Sequence, residues 1–116
     1  MLKKENRLKK RKEFNYIYKK GTLAHSNLFT MHFVKAFKPY AQIGITVGKT
    51  VGNSVVRSRV KRIVSEACRL NLEKFAVKNY VITAKETLKD KSSKDVELEL
   101  LRVLKKNGLL KEEENV

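Results

Sequence analysis

The sequence predicts an α+β fold, a two-layer α/β sandwich in which helices pack on one small sheet. Three observations carry this expectation. Apolar residues recur at helical spacing in three segments, alternate at strand spacing in two more, and form one further short run suited to a central strand. These segments follow one another as α-β-β-α-β-α, an order that suits helices layered on a sheet. The chain has 116 residues, a single-domain length, so residues 1–116 are read as one domain around one core.

Taken in order, residues 1–10 read as a frayed basic arm, flexible over 1–8. From Arg11 to Lys19 the residues Phe14, Ile17 and Tyr18 stand at helical spacing, and Gly21 stops the run, which predicts a short first helix. Leu28 to Ala36 reads as a strand, with Phe29, Met31 and Phe33 on one face and Thr30 and His32 on the other. Pro39 and Tyr40 mark a turn. Ala41 to Val47 continues as a second strand, with Ile43, Ile45 and Val47 facing away from Gly44 and Thr46. An antiparallel hairpin is the economical pairing of these two strands. Gly52-Asn53-Ser54 offers a turn and a helix N-cap, and the helix runs to about Leu72. Its core stripe is Val56, Val60, Ile63, Ala67 and Leu70. Arg57, Lys61, Arg62 and Arg69 spread over the opposite side, and Arg59 lies at the stripe's edge. Asn79 to Ala84 suits a central strand. Ser92 or Ser93 caps a last helix with the stripe Val96, Leu100, Val103 and Leu104. Residues 111–116 read as a flexible tail.

Charge is placed unevenly. Lys and Arg number 27 and Asp and Glu 12, a net charge of +15. Residues 1–62 hold 16 Lys and Arg against two acids; residues 63–116 hold 11 against ten. The excess gathers between Lys3 and Lys20 and again at Lys49, Arg57, Arg59, Lys61 and Arg62. Such density repels itself, so a strongly anionic partner is expected. Nucleic acid supplies one, since each neutralised phosphate releases condensed counterion. A solvated basic face and an anionic lipid surface are the plainer alternatives. No run approaches the roughly 18 apolar residues of a membrane span, and the charged opening lacks the apolar segment of a secretory signal. Cys68 is the one cysteine, so no internal disulfide forms. A cytoplasmic, monomeric protein without membrane contact is expected.

Catalytic motifs are absent from this reading. Gly44 to Thr50 resembles a phosphate-binding loop, but three residues separate Gly44 from Gly48 where that loop needs four. His25 and His32 have no acidic cluster near them in sequence, so no metal-ligand spacing exists. Only Glu5 and Glu13 precede Glu66, too few for a nuclease that holds its own metal ions. Cys68 reads as structural. The strongest signal is Arg57-Ser-Arg-Val-Lys-Arg62, four cations in a helix's first turns. Cations there oppose the helix macrodipole, and a bound phosphate would offset the conflict. A second signal is Phe14, Tyr16 and Tyr18 amid lysines, where rings can stack on bases while cations hold the backbone. Phe14 can equally dock the first helix on the sheet.

Two segments resemble the protein subunit of bacterial ribonuclease P: Arg7-Leu-Lys-Lys-Arg-Lys-Glu-Phe14, and Ile43-Gly-Ile-Thr-Val-Gly-Lys49 through Val51-Gly-Asn-Ser-Val-Val-Arg-Ser-Arg-Val-Lys-Arg62. The resemblance covers residues 5–69. It departs from the family's pattern at Ser58, where Asn is usual, at Ser54 (Ala), at Thr50 (a second Lys) and at Ser65 (Arg). It implies the order αβββαβα, with an extra strand near Leu23 to Asn27. It also implies a small mixed sheet with a left-handed βαβ crossover, against the general right-handed rule. It implies assembly with a catalytic RNA that removes the 5′ leader of precursor tRNA, the chemistry belonging to that RNA and its Mg²⁺ ions. By position, Arg57, Ser58, Arg59, Lys61 and Arg62 would bind the RNA subunit, with Asn53 and Lys49 at the junction of that surface with a cleft. Phe14, Tyr18 and His32 would line the cleft for the single-stranded leader, His32 standing where Tyr is common. The competing reading is a ribosomal or ribosome-assembly protein of similar fold, which needs no such cleft.

Overall fold

Strand alternation sorts the sheet into two faces, and the chain covers both. The structure, a computed structural model, describes residues 2–111. Its elements are α1 (Arg11–Lys20), β1 (Thr22–His25), β2 (Phe29–Lys35), β3 (Gln42–Val47), α2 (Ser54–Leu70), β4 (Lys78–Ala84) and α3 (Ser93–Lys106), the order αβββαβα. Phe29, Met31, Ile43, Ile45, Tyr80 and Ile82 form the main core with α2 and α3. On the opposite face Val81 and the partly buried Val34 meet Leu8 and, from α1, Ile17 and Phe14. A ten-residue helix is marginal alone. Ile17 is the one buried side chain of α1, and its burial contributes about 1.5–3 kcal/mol to docking the helix. Phe14 completes the contact: a Cβ on Gly44 would stand 2.5 Å from Phe14 Cζ, so only glycine lets the ring lie this close to the strand.

The sheet runs β1-β2-β4-β3, and this corrects the expected hairpin. β2 and β3 are not neighbours; β4 is slotted between them, antiparallel to β2 and parallel to β3. The loop between β2 and β3 must therefore cross a two-strand gap of roughly 9.5 Å, passing over the start of β4. Asn79, wholly buried in β4, holds that crossing in place. Its Oδ1 accepts from the Phe37 N–H at 3.2 Å, and its Nδ2 donates to Gln42 Oε1 at 3.0 Å.

Two further expectations shift. On α2 the buried residues are Val60, Val64, Ser65, Ala67 and Cys68; Val56 and Ile63 are partly buried against the core, while Leu70 is exposed. The stripe turns toward α3, which packs beside α2 and buries Val96, Leu100, Val103 and Leu104 as expected. The N-terminal arm, read as flexible over 1–8, is packed from Leu2 onward. Leu2 and Leu8 are buried, Asn6 Nδ2 donates to the Ala41 carbonyl at 2.7 Å, and Arg7 bridges to Ile43. The arm thereby pairs with the β3 edge at Ile43, which would otherwise offer unpaired backbone groups. The tail expected to be flexible lies, from residue 112, outside the described residues.

Asn79→Ala strands the Phe37 amide and the Gln42 side chain. It is expected to lower the unfolding free energy by about 1–3 kcal/mol, measured as a lower urea midpoint; an unchanged midpoint contradicts the clamp.

Candidate nucleic-acid interface

Where the arm ends, the β3 edge opens into a groove walled by the N-terminal half of α2. The groove has two hollows. One, of ≈ 350 Å³, lies between the arm at Arg7 and Lys9, Phe14, and Lys61 and Ser65 of α2. The next, of ≈ 420 Å³, is lined by Thr46 and Val47 of β3 and by Ser54, Arg57, Ser58 and Lys61. Ile45 and Lys61 belong to both, so Lys61 stands mid-groove. Neither hollow is lined by a carboxylate. The donor set suits phosphate oxygens and not a divalent cation.

The helix that carries these cations starts where the sequence places it. Asn53 is the N-cap, its Oδ1 accepting from the Val56 N–H at 3.0 Å. Arg57 is half-buried and its Nε donates to the Gly52 carbonyl at 3.2 Å, which fixes the guanidinium at the groove despite the opposing macrodipole. Ser58 and Lys61 are exposed beside it. Lys49 is exposed in the short turn Lys49–Val51 that leads from β3 to α2. Arg59 and Arg62 line neither hollow: Arg59 Nη2 donates to the Lys89 carbonyl at 2.9 Å, and Arg62 is exposed.

Of the residues expected to line a cleft between sheet and first helix, Tyr18 and His32 lie together on the face of the sheet that α1 covers. The hydroxyls of Tyr18, Thr46 and Thr83 form a closed triangle: Tyr18–Thr46 at 3.0 Å, Tyr18–Thr83 at 3.2 Å and Thr46–Thr83 at 3.0 Å. Thr30 lies opposite Thr83 in the sheet and His25 opposite Thr30, which extends a polar floor. His32 meets Tyr18 edge-on, ring centroids 5.1 Å apart at 84°. Its Nδ1 is buried without a hydrogen-bond partner among the described residues. Burial, and then the charge of His25, hold its pKa below the usual 6.5. Phe14 is packed over Gly44 and lines the groove. It serves core and site at once.

Thr46 joins the two regions, lining the groove while bonding Tyr18. Sequence reasoning gave no site role to Thr46, Thr83 or Arg7, and met Ser65 only as a departure from the family's pattern. The signal for the threonines was available: both alternate away from their strands' apolar faces, as His32 does. Arg7, whose Nε is buried with no partner among the described residues, gave no signal within a run of lysines. Cys68 is wholly buried and its thiol is pushed up to about 12 by that burial, so it is a structural residue and not a nucleophile.

A cationic groove that meets a cluster of tyrosine and threonine hydroxyls on a four-stranded sheet defines a small α+β RNA-binding protein. The model of the family described as Ribonuclease P matches residues 2–108, and the chain belongs to that family. It is 39% identical over 108 residues to the ribonuclease P protein component of Clostridium botulinum, covering 91% of this chain and 97% of the relative. To that of Clostridium beijerinckii it is 42% identical, covering 93% of each. Among solved structures it is similar to a Staphylococcus aureus RNase P protein mutant, with TM-score 0.83, 28% identity and 91% of each chain covered. It is also similar to the RNase P protein of Thermotoga maritima, with TM-score 0.78, 28% identity, and 86% of this chain and 96% of that one covered.

Because folding lowers the His32 pKa, the unfolded chain takes up its proton first as pH falls. This histidine therefore costs stability as pH drops through 6.5 toward its lowered folded value, and nothing further below that. His32→Gln is expected to show a smaller loss of urea midpoint between about pH 7.5 and about pH 5.5 than the unsubstituted chain; an equal loss in both removes His32 as the cause.

Proposed function

We propose that this chain is the protein subunit of a ribonuclease P ribonucleoprotein, aiding endonucleolytic removal of the 5′ leader from precursor tRNA. In this reading the groove beside α2 takes the backbone of the catalytic RNA. Arg57 and Lys61 neutralise phosphates, Ser54 and Ser58 offer hydroxyls, and the buried Arg7 Nε, without a partner among the described residues, gains an acceptor. The single-stranded leader of precursor tRNA lies in the cleft, a base stacking on Tyr18 while the Thr46 and Thr83 hydroxyls meet the sugar-phosphate backbone. Arg59, Arg62, Lys49 and Asn53 extend the RNA surface around the groove. Mg²⁺ supplies the chemistry of hydrolysis from sites in the RNA and substrate. This chain's residues bind and orient the strand and hold no step of bond breaking.

The observation that carries the reading is Thr46, shared by groove and cleft, so that one RNA surface and one free strand meet on a single side chain. No helix among the described residues is long and apolar enough to cross a membrane, and a cytoplasmic, monomeric protein completes the proposal.

The test is Mg²⁺-dependent cleavage of 5′-extended precursor tRNA by protein alone, by a bacterial ribonuclease P RNA alone at moderate salt, and by both together. Stimulated cleavage at the mature 5′ end with both, and none with protein alone, is expected. Arg57→Ala and Lys61→Ala should each weaken assembly with that RNA and lower the salt slope by about one. No stimulation, with tight binding to ribosomal RNA instead, would favour the ribosome-assembly reading. Cleavage by the protein alone would overturn both.

A further inference from the structure

The side of α1 turned away from the cleft carries an aromatic pair that nothing above uses. Tyr16 and Tyr18 are two residues apart on one helix, so their side chains point about 200° apart around its axis. Tyr18 reaches the threonine floor, while Tyr16 meets Phe37 in the loop after β2, centroids 5.8 Å apart at 61°. Both rings remain open to solvent, Tyr16 at 50% and Phe37 at 39% exposure. An edge-on contact leaves the faces of the edge-presenting ring uncovered by its partner. With Lys12 and Glu13 the two rings line a shallow hollow of ≈ 280 Å³.

What borders this hollow indicates its occupant. A larger basin of ≈ 590 Å³ adjoins it through Glu13, and its cations are Lys3, Lys4, Arg7, Lys9, Lys10 and Lys38, against the acids Glu5 and Glu13. Lys38 directly follows Phe37. The packed arm and Lys38 thus gather six cations beside two open rings. The platform is also held in place before any ligand arrives, since the buried Asn79 accepts the Phe37 N–H. If the pair served only to fasten the loop to α1, the rings would be better buried, and the neighbouring cations would have no counterpart.

We propose that Tyr16 and Phe37 form a stacking platform for one unpaired base of RNA whose phosphates lie in the adjoining lysine and arginine basin, a second RNA contact on the opposite side of α1 from the cleft. The proposal rests on the RNA-binding reading above and adds a site to it. Stacking on an aromatic residue tolerates any base, and the cations fix the strand.

The chain contains no Trp, so Tyr16→Trp keeps a stacking ring and introduces a single reporter. The folded variant is titrated with a short single-stranded oligoadenylate and, separately, with inorganic tripolyphosphate. Saturable quenching of the tryptophan by oligoadenylate and little by tripolyphosphate is expected. Tyr16→Ala should weaken oligoadenylate binding roughly tenfold, with an unchanged urea midpoint because the side chain is half exposed. Equal quenching by both ligands, unchanged emission while anisotropy shows oligoadenylate bound, or unchanged affinity in Tyr16→Ala would each overturn the platform and leave the cleft standing. A blue shift that grows with protein concentration without RNA would assign the pair to a second copy of the chain, and overturns it too. If the unsubstituted protein binds no oligoadenylate at all, the RNA-binding reading fails along with the platform.

Discussion

β4 pairs with β2 along Phe29–Lys35 on one side and with β3 along Gln42–Val47 on the other, and the placement of both the cationic groove and the hydroxyl cluster follows from this double pairing. Its side chains serve two faces: Tyr80 and Ile82 fill the main core, while Val81 seats Ile17 of α1 and Thr83 stands beside Thr46. The parallel partnership with β3 requires a crossover connection, and that connection contains α2. The helix must therefore start beyond the last residues of β3 and pack back along it. Its N-terminal half, which holds the cations, lies beside Ile45 to Val47, while Ser65 one turn further on reaches the level of Ile43. Groove and cleft share a border because one strand edge serves both.

The charge asymmetry acquires a spatial meaning in this arrangement. In the second half of the chain Arg69 pairs with Glu66, Lys89 with Glu86 and Arg102 with Glu99. The first two, exposed on both sides, add little stability, and all three balance charge in that half. The cations of the first half instead gather along the packed arm and on α2 at the groove, where they repel one another and, on the helix, oppose its dipole. Arg57 is held by the Gly52 carbonyl and the arm by Asn6, Leu2 and Leu8. The fold spends apolar burial and backbone hydrogen bonds on holding like charges together.

Local signals made the elements legible. Gly21 after Tyr18, Asn53 before a cationic helix and a serine at 92 or 93 before the last helix all act within a turn of themselves; the structure places the first two where the spacing does and selects Ser92, in a capping box with Asp95, as the third. Pairing was less legible. Nothing in the local pattern of Asn79 to Ala84 says that this strand enters between β2 and β3, and a short connection containing Pro39 reads as a hairpin turn. Asn79 was the available clue, a polar residue opening an apolar run, since a buried amide there needs partners on both sides. The α2 stripe slipped at Leu70 and Val64 because its helical phase is set by contact with α3, a neighbour remote in sequence. The arm was misread because lysines mask its two buried leucines. Of the site, Arg57, Lys61 and Tyr18 were legible from charge and aromatic placement. For Thr46 and Thr83 the alternation showed which face they take, but not that they meet, which depends on a register across parallel strands.

The central claim is that the leader strand lies against the Tyr18 wall of the cleft when the catalytic RNA is bound. A precursor tRNA carrying a single photoreactive nucleotide in its 5′ leader, irradiated in the assembled complex and followed by peptide mapping, tests it most directly. Crosslinks on peptides containing Tyr18, His32, Thr46 or Thr83, abolished by removing the leader, are predicted. Crosslinks confined to α3, or equally strong on a leaderless tRNA photoreactive elsewhere, would contradict the account.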